Sequence, residues 1–160
     1  MIKTLIPIMA IIFCISGCAS KSAQGTGENL SSIQTALEDQ RYIFKARTAI
    51  PSGGRNVQLT TDYNLTVLKD SVIAYLPYFG RAYSAPLPSA RGGIQFTSTD
   101  FKYETRNRRN GVREINIKPN DAADVQQLIL SLSRDGYGSL QVTSNNRQSI
   151  TFNGVAQKIE

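Results

Sequence analysis

From Tyr42 onward, apolar residues occupy every second position in one short run after another, and this period of two restricts the chain to strands with one buried and one wet face. Tyr42, Phe44 and Ala46 alternate with Arg41, Lys45 and Arg47. The same pattern returns at Val57 and Leu59, at Tyr63, Leu65 and Val67, around Val72, and at Ile94 and Phe96. It continues at Phe101 and Tyr103, Ile115 and Ile117, Leu128 to Leu132, Leu140 and Val142, and Ile150 and Phe152. Between the runs lie Ser52-Gly53-Gly54, Asn110-Gly111, Asp135-Gly136 and Asn145-Asn146. These residue types turn a chain tightly because they tolerate positive φ. Nine or ten such strands predict an antiparallel meander, and a sheet that long curls or closes to remove its edges. The expected fold is therefore all-β with one N-terminal helix, curled into a small lipocalin-like β-barrel. An open sheet with the helix packed on one face is the alternative.

The helix is expected from Ser31 to about Gln40. Ile33, Ala36 and Leu37 share one face there, and Ser31 and Gln34 have capping-box spacing. Ahead of it, Lys3 precedes the apolar run Leu5 to Phe13, too short for a permanent span but suited to a signal-peptide core. The run ends in Ile15-Ser16-Gly17-Cys18, which resembles the bacterial lipobox, where the cysteine is acylated and becomes the mature N-terminus. The alternative is an ordinary secretory signal with Cys18 near its cleavage site by chance. Residues 1–17 are thus expected to be a signal peptide and 18–29 the lipidated cysteine with a small, polar tether. One domain over 30–155 and a tail over 156–160 follow. Ala19 is not the aspartate that resembles an inner-membrane retention signal, and the tether lacks the acidic cluster of a surface-export signal. The expected address is the outer membrane, facing the periplasm.

Composition then narrows the chemistry. The 160 residues contain no histidine and two cysteines, of which Cys14 leaves with the signal peptide and Cys18 is the acylated one. Histidine-dependent triads, His-ligated zinc, thiol catalysis and an internal disulfide are all excluded for the mature chain. No catalytic residue, metal or cofactor is expected. Loss of Lys3 leaves 17 basic against 12 acidic residues, too few and too interspersed for a phosphate-tracking groove, so no nucleic-acid partner is expected.

Three stretches and one short motif are candidate sites. Tyr75 to Pro88 holds four of the mature chain's twelve Tyr and Phe residues and three prolines, and reads as one long irregular connection. Its rings either plug a barrel end or wall a binding mouth, with Tyr75, Tyr78, Phe79 and Tyr83 stacking on a ligand and Arg81 and Arg91 meeting an anion. Arg106, Arg108, Arg109 and Arg113 surround Asn110-Gly111 and are expected on a hairpin tip, solvated or touching anionic headgroups or polymers. Asp121-Ala122-Ala123-Asp124 is a close carboxylate pair expected in a loop, as a solvated turn or cap rather than a hydrolytic or calcium-binding pair. Asp70-Ser71-Val72 resembles a three-residue O-glycosylation site of Bacteroidetes secreted proteins, with Ser71 the acceptor.

Four blocks in order, Phe44 to Ala49, Leu76 to Tyr83, Gly92 to Phe96 and Ser144 to Ile150, resemble the DUF4251 family of Bacteroidetes lipoproteins across roughly residues 30–155. The resemblance implies small secreted or lipid-anchored proteins with a lipocalin-like barrel. It brings no activity and no catalytic residues. The functional expectation is a non-catalytic envelope protein, attached to the membrane by its lipid, that binds a small molecule, a glycan or a protein at the end closed by Tyr75 to Pro88. A docking protein for another envelope component, or an enzyme using carboxylates alone, are the competitors. Cys18→Ala should abolish fatty-acid labelling in cells, and labelling that persists would refute the lipobox.

Overall fold

The computed structural model describes residues 26–83 and 92–159. The expected signal peptide, Cys18 and Arg91 lie outside the described residues. Helix α1 (Thr26–Glu38) is followed by β1 (Tyr42–Pro51), β2 (Val57–Gln58), β3 (Asn64–Val67), β4 (Val72–Pro77) and β5 (Gly93–Ser98). Then come β6 (Phe101–Asn107), a 3-10 turn, β7 (Arg113–Pro119), β8 (Val125–Leu132), β9 (Tyr137–Ser144) and β10 (Ile150–Lys158). The helix starts at Thr26, inside the stretch expected to be tether, because no proline interrupts residues 26–31 and a helix once nucleated adds a bond per residue. Strand β10 runs past the expected boundary at 155, with Ala156 buried opposite Phe44.

The strands form one sheet in the order β5-β4-β3-β1-β10-β9-β8-β7-β6, with β2 added to β1, and every neighbour is antiparallel. In a path of nine alternating strands the first and last run the same way, and only Thr99 and Asp100 separate β5 from β6. The two are halves of one bent strand, paired with β4 before the bend and β7 after it. The sheet thus comes nearly full circle as an up-and-down barrel with its strands in chain order, joined by β1 against β10 through nine partner pairs from Tyr42↔Lys158 to Pro51↔Ile150. The expected barrel is borne out. The open sheet is not.

Strand alternation points one residue in two inward, and the barrel is narrow enough for those side chains to fill it. Tyr42, Phe44, Leu65, Leu76, Ile115, Leu128, Leu140 and Phe152 are fully buried. Each contributes roughly 1.5–3 kcal/mol by leaving water. Helix α1 adds Ile33, Ala36 and Leu37 to this core and packs on β10 and β1. Its last turn is tied down where the Arg41 amide donates to the Ala36 carbonyl and Arg113 pairs with Glu38 at 3.5 Å. The helix therefore covers the barrel end that holds the β8–β9 turn and the β6–β7 hairpin.

Strand β1 carries a bulge at Arg47, between the pairs Ala46↔Gly154 and Thr48↔Asn153. Here β10 approaches so closely that a Cβ at Gly154 would collide with the Lys45 carbonyl and the Phe44 ring. Gly154→Ala should cost on the order of 1–3 kcal/mol by overpacking. Thermal unfolding will check it against Gly53→Ala, where no atom lies within 4 Å of the added methyl; equal melting temperatures would contradict the close approach.

Candidate functional site

The opposite end of the barrel is built from the β1–β2 turn, the residues after β4, and the β7–β8 and β9–β10 connections. Pro77 closes β4 opposite Gly93, since a residue without an N–H ends a ladder. The chain then turns inward. The Tyr78 hydroxyl shares its proton between the carbonyls of Arg81 (2.9 Å) and Gln148 (3.1 Å), and burial raises its pKa. Beyond it the backbone lies along the β9–β10 connection: Tyr83 N–H donates to Asn146 O at 2.8 Å, Gln148 N–H donates to Arg81 O at 3.2 Å, and Ala82 bridges Arg147. This segment caps the end.

Arg147 holds the cap to the barrel. It is 7% exposed, and its guanidinium lies 5.1 Å from the centre of the Tyr78 ring. One nitrogen donates to the Gly93 carbonyl at 3.0 Å and another to Asp124 at 3.4 Å. A buried cation requires such company. A cleft of about 160 Å³ beside it runs between β5 and residues 121–125. Asp121 holds the bend between β5 and β6. The Ser98 hydroxyl and the amides of Thr99 and Asp100 donate to its carboxylate and keep its pKa below the ordinary range. Both members of the carboxylate pair thus serve the fold, as a turn cap and as a partner for Arg147.

The aromatic stretch divides instead of acting together. Tyr75 was expected in the irregular connection, but it lies in β4 opposite Gln95 and stacks outside the barrel on Tyr63 at 5.4 Å. Alternation with buried Ala74 and Leu76 turns it to solvent. Tyr78 is a plug. Phe79 remains 37% exposed and Tyr83 73% exposed. Phe79 and Arg81 share an open groove of about 590 Å³ with Arg55, Val57, Gln148 and the Gly53-Gly54 turn.

The basic hairpin also differs from its expected form. Four guanidinium groups are expected to share one exposed end, but Arg108 is clamped by both Glu114 oxygens at 2.8 and 2.7 Å, and Arg113 turns toward Glu38 and is largely buried. Pairing of β6 with β7 brings Glu114 within reach of Arg108, and the packing of α1 brings Glu38 to Arg113, which spacing along the chain did not reveal. Arg106 reaches only Glu104, at 3.9 Å, and Arg109 has no ion pair among the described residues. The turn itself follows Asn110-Gly111, with φ of 64° and 73°. Ser71 lies partly buried in the β3–β4 turn, its hydroxyl 3.0 Å from Asp70.

A family model described as Domain of unknown function (DUF4251) matches residues 24–156. The chain belongs to the DUF4251 family. A crystal structure of a DUF4251 family protein from Bacteroides eggerthii superposes with a TM-score of 0.63 at 17% identity, covering 82% of this chain and 88% of that one. At that identity the likeness is one of fold. No curated protein matches. Within this DUF4251 domain, sequence reasoning missed Arg147 as a site residue. A lone arginine after Asn145-Asn146 reads as an exposed turn until Gly93, Asp124 and Tyr78 are brought around it.

Arg147→Met should cost about 3 kcal/mol, near the low end for breaking a buried ion pair because Asp124 remains partly in water. Urea unfolding will measure it, and a loss no larger than that of Asp124→Asn would contradict the bond to Gly93 and the contact with Tyr78. Asp121, with its native pKa lowered, contributes stability that is fully present above its ordinary value near 3.8 and is lost as pH falls through the native value. Asp121→Asn should flatten that acid-side decline in a pH series of melting temperatures.

Proposed function

We propose that this chain is a lipid-anchored cell-envelope protein, held in the outer membrane and facing the periplasm, that binds a ligand at its capped end without transforming it. The observation that carries the reading is the groove between Arg55 and Phe79 to Arg81, an open site on a barrel whose interior is already filled. Its volume, about 590 Å³, falls within the range of small-molecule sites, roughly 300–1,000 Å³. The absence of histidine and of a free thiol in the mature chain supports binding over catalysis. So does the engagement of Asp121 and Asp124 in the fold.

Attachment through Cys18 suits this arrangement. Helix α1, the first described element after Cys18 in the sequence, covers the end of the barrel opposite the groove. Native mass spectrometry of the chain carrying Cys18→Ala, purified from its cells, should show a retained mass that Phe79→Ala removes. A clean unliganded spectrum from every preparation would overturn the binding reading.

A further inference from the structure

The groove at the capped end has a one-sided electrostatic character. Among the described residues, both charged groups lining it, Arg55 and Arg81, are cations, and no carboxylate lines it. Both side chains are exposed, and neither has an ion pair among the described residues. Arg108, Arg113 and Arg147 have acidic partners, whereas Arg41, Arg47, Arg109 and Arg134 have no ion pair among the described residues; Arg55 and Arg81 differ from these in lining one groove together. Two unpaired guanidinium groups facing one concavity leave a site for an external anion.

The walls of the groove are held before anything binds. On one side, the Ser52 hydroxyl donates to the Ser149 carbonyl and pins the β1–β2 turn to the β9–β10 connection. On the other, the Arg81 carbonyl accepts from Gln148 N–H and from the Tyr78 hydroxyl. Each wall is thus fastened to the same connection, so little ordering is left to oppose a ligand. Gly53, in the lining, has no atom within 4 Å of where a side chain would begin.

The remaining lining sets the body of the ligand. Phe79 offers one exposed ring, Val57 a small apolar patch, and Gln148 and the glycine turn offer polar groups. An acyl chain has nowhere to go, because the barrel interior is filled by side chains such as Phe44, Leu76 and Phe152. A flat, hydrated body with one apolar face, stacking on a single ring while its hydroxyl groups meet polar neighbours, fits such a shallow site. Building on the binding role proposed above, we propose that the groove takes a carboxylated saccharide, its sugar face on Phe79 and its carboxylate between Arg55 and Arg81.

Titration calorimetry of the chain carrying Cys18→Ala, with trigalacturonate as the acidic probe and galactotriose as its neutral counterpart, tests this directly. Trigalacturonate should bind roughly tenfold or more tightly than galactotriose, and Arg55→Gln and Arg81→Gln should each remove roughly tenfold, the scale of one lost charged hydrogen bond. Phe79→Ala should weaken both sugars. All three substitutions are on exposed side chains, and unchanged melting temperatures will show that the fold is intact. Equal binding of the two sugars overturns the acidic preference while leaving the binding role in place. Trigalacturonate affinity indifferent to the arginine substitutions overturns the site. Displacement of trigalacturonate by equimolar inorganic phosphate overturns the saccharide component. No binding of either sugar by a protein that still retains a mass from cells overturns the ligand class alone.

Discussion

Pairing of the first long strand with the last is the constraint on which everything else rests. Nine partner pairs between β1 and β10 join the two ends of the meander, so the sheet comes round on itself and its inward residues share one core. Closing so long a loop costs entropy that grows slowly with length, and the ladder together with the buried side chains offsets it. Once β1 and β10 are fixed, α1 has a platform for Ile33, Ala36 and Leu37. The remaining weakness moves to the middle of the chain, where β5 bends into β6.

That seam is managed with polar chemistry rather than with a continuous ladder. Asp121 accepts from the amides at the bend, Asn120 N–H donates to the Asp100 carbonyl, and Arg147 satisfies the Gly93 carbonyl at the start of β5. Unpaired backbone groups beside a core are costly, so side chains take the place of the missing strand neighbour. The same Arg147 lies against Tyr78, and the segment that follows is laid along residues 146–148. Seam and cap are therefore one structure. The groove at the capped end is walled in part by that structure, through Arg81 and Gln148.

Much of the fold was legible in the sequence because strand alternation is local. Tyr42, Phe44, Leu65, Leu128 and Phe152 lie inside as the period of two requires, and Asn110-Gly111 turns as its residue types dictate. Tyr75 shows the limit of composition: a ring two residues before Pro77 looked irregular, yet the alternation through Ala74 and Leu76 already assigned it to the outside of a strand. The arginine hairpin shows a second limit. Counting cations along Arg106 to Arg113 could not reveal that Glu114 and Glu38 occupy two of them, because one partner arrives from a distant helix.

By itself the sequence determined the alternation that makes the strands, the turns between them and the lack of histidine, since each of these depends on residue type and short-range spacing. Only the tertiary structure decided which rings plug and which remain free, that the Asp121 and Asp124 carboxylates serve the seam, and that Arg55 and Arg81 face one groove. Those outcomes depend on charges and backbone groups meeting across strands far apart in the chain. Desolvation makes such meetings obligatory: a buried cation such as Arg147 must find its partners wherever the fold brings them, whereas exposed Arg55 and Arg81 stay in water without an ion pair among the described residues.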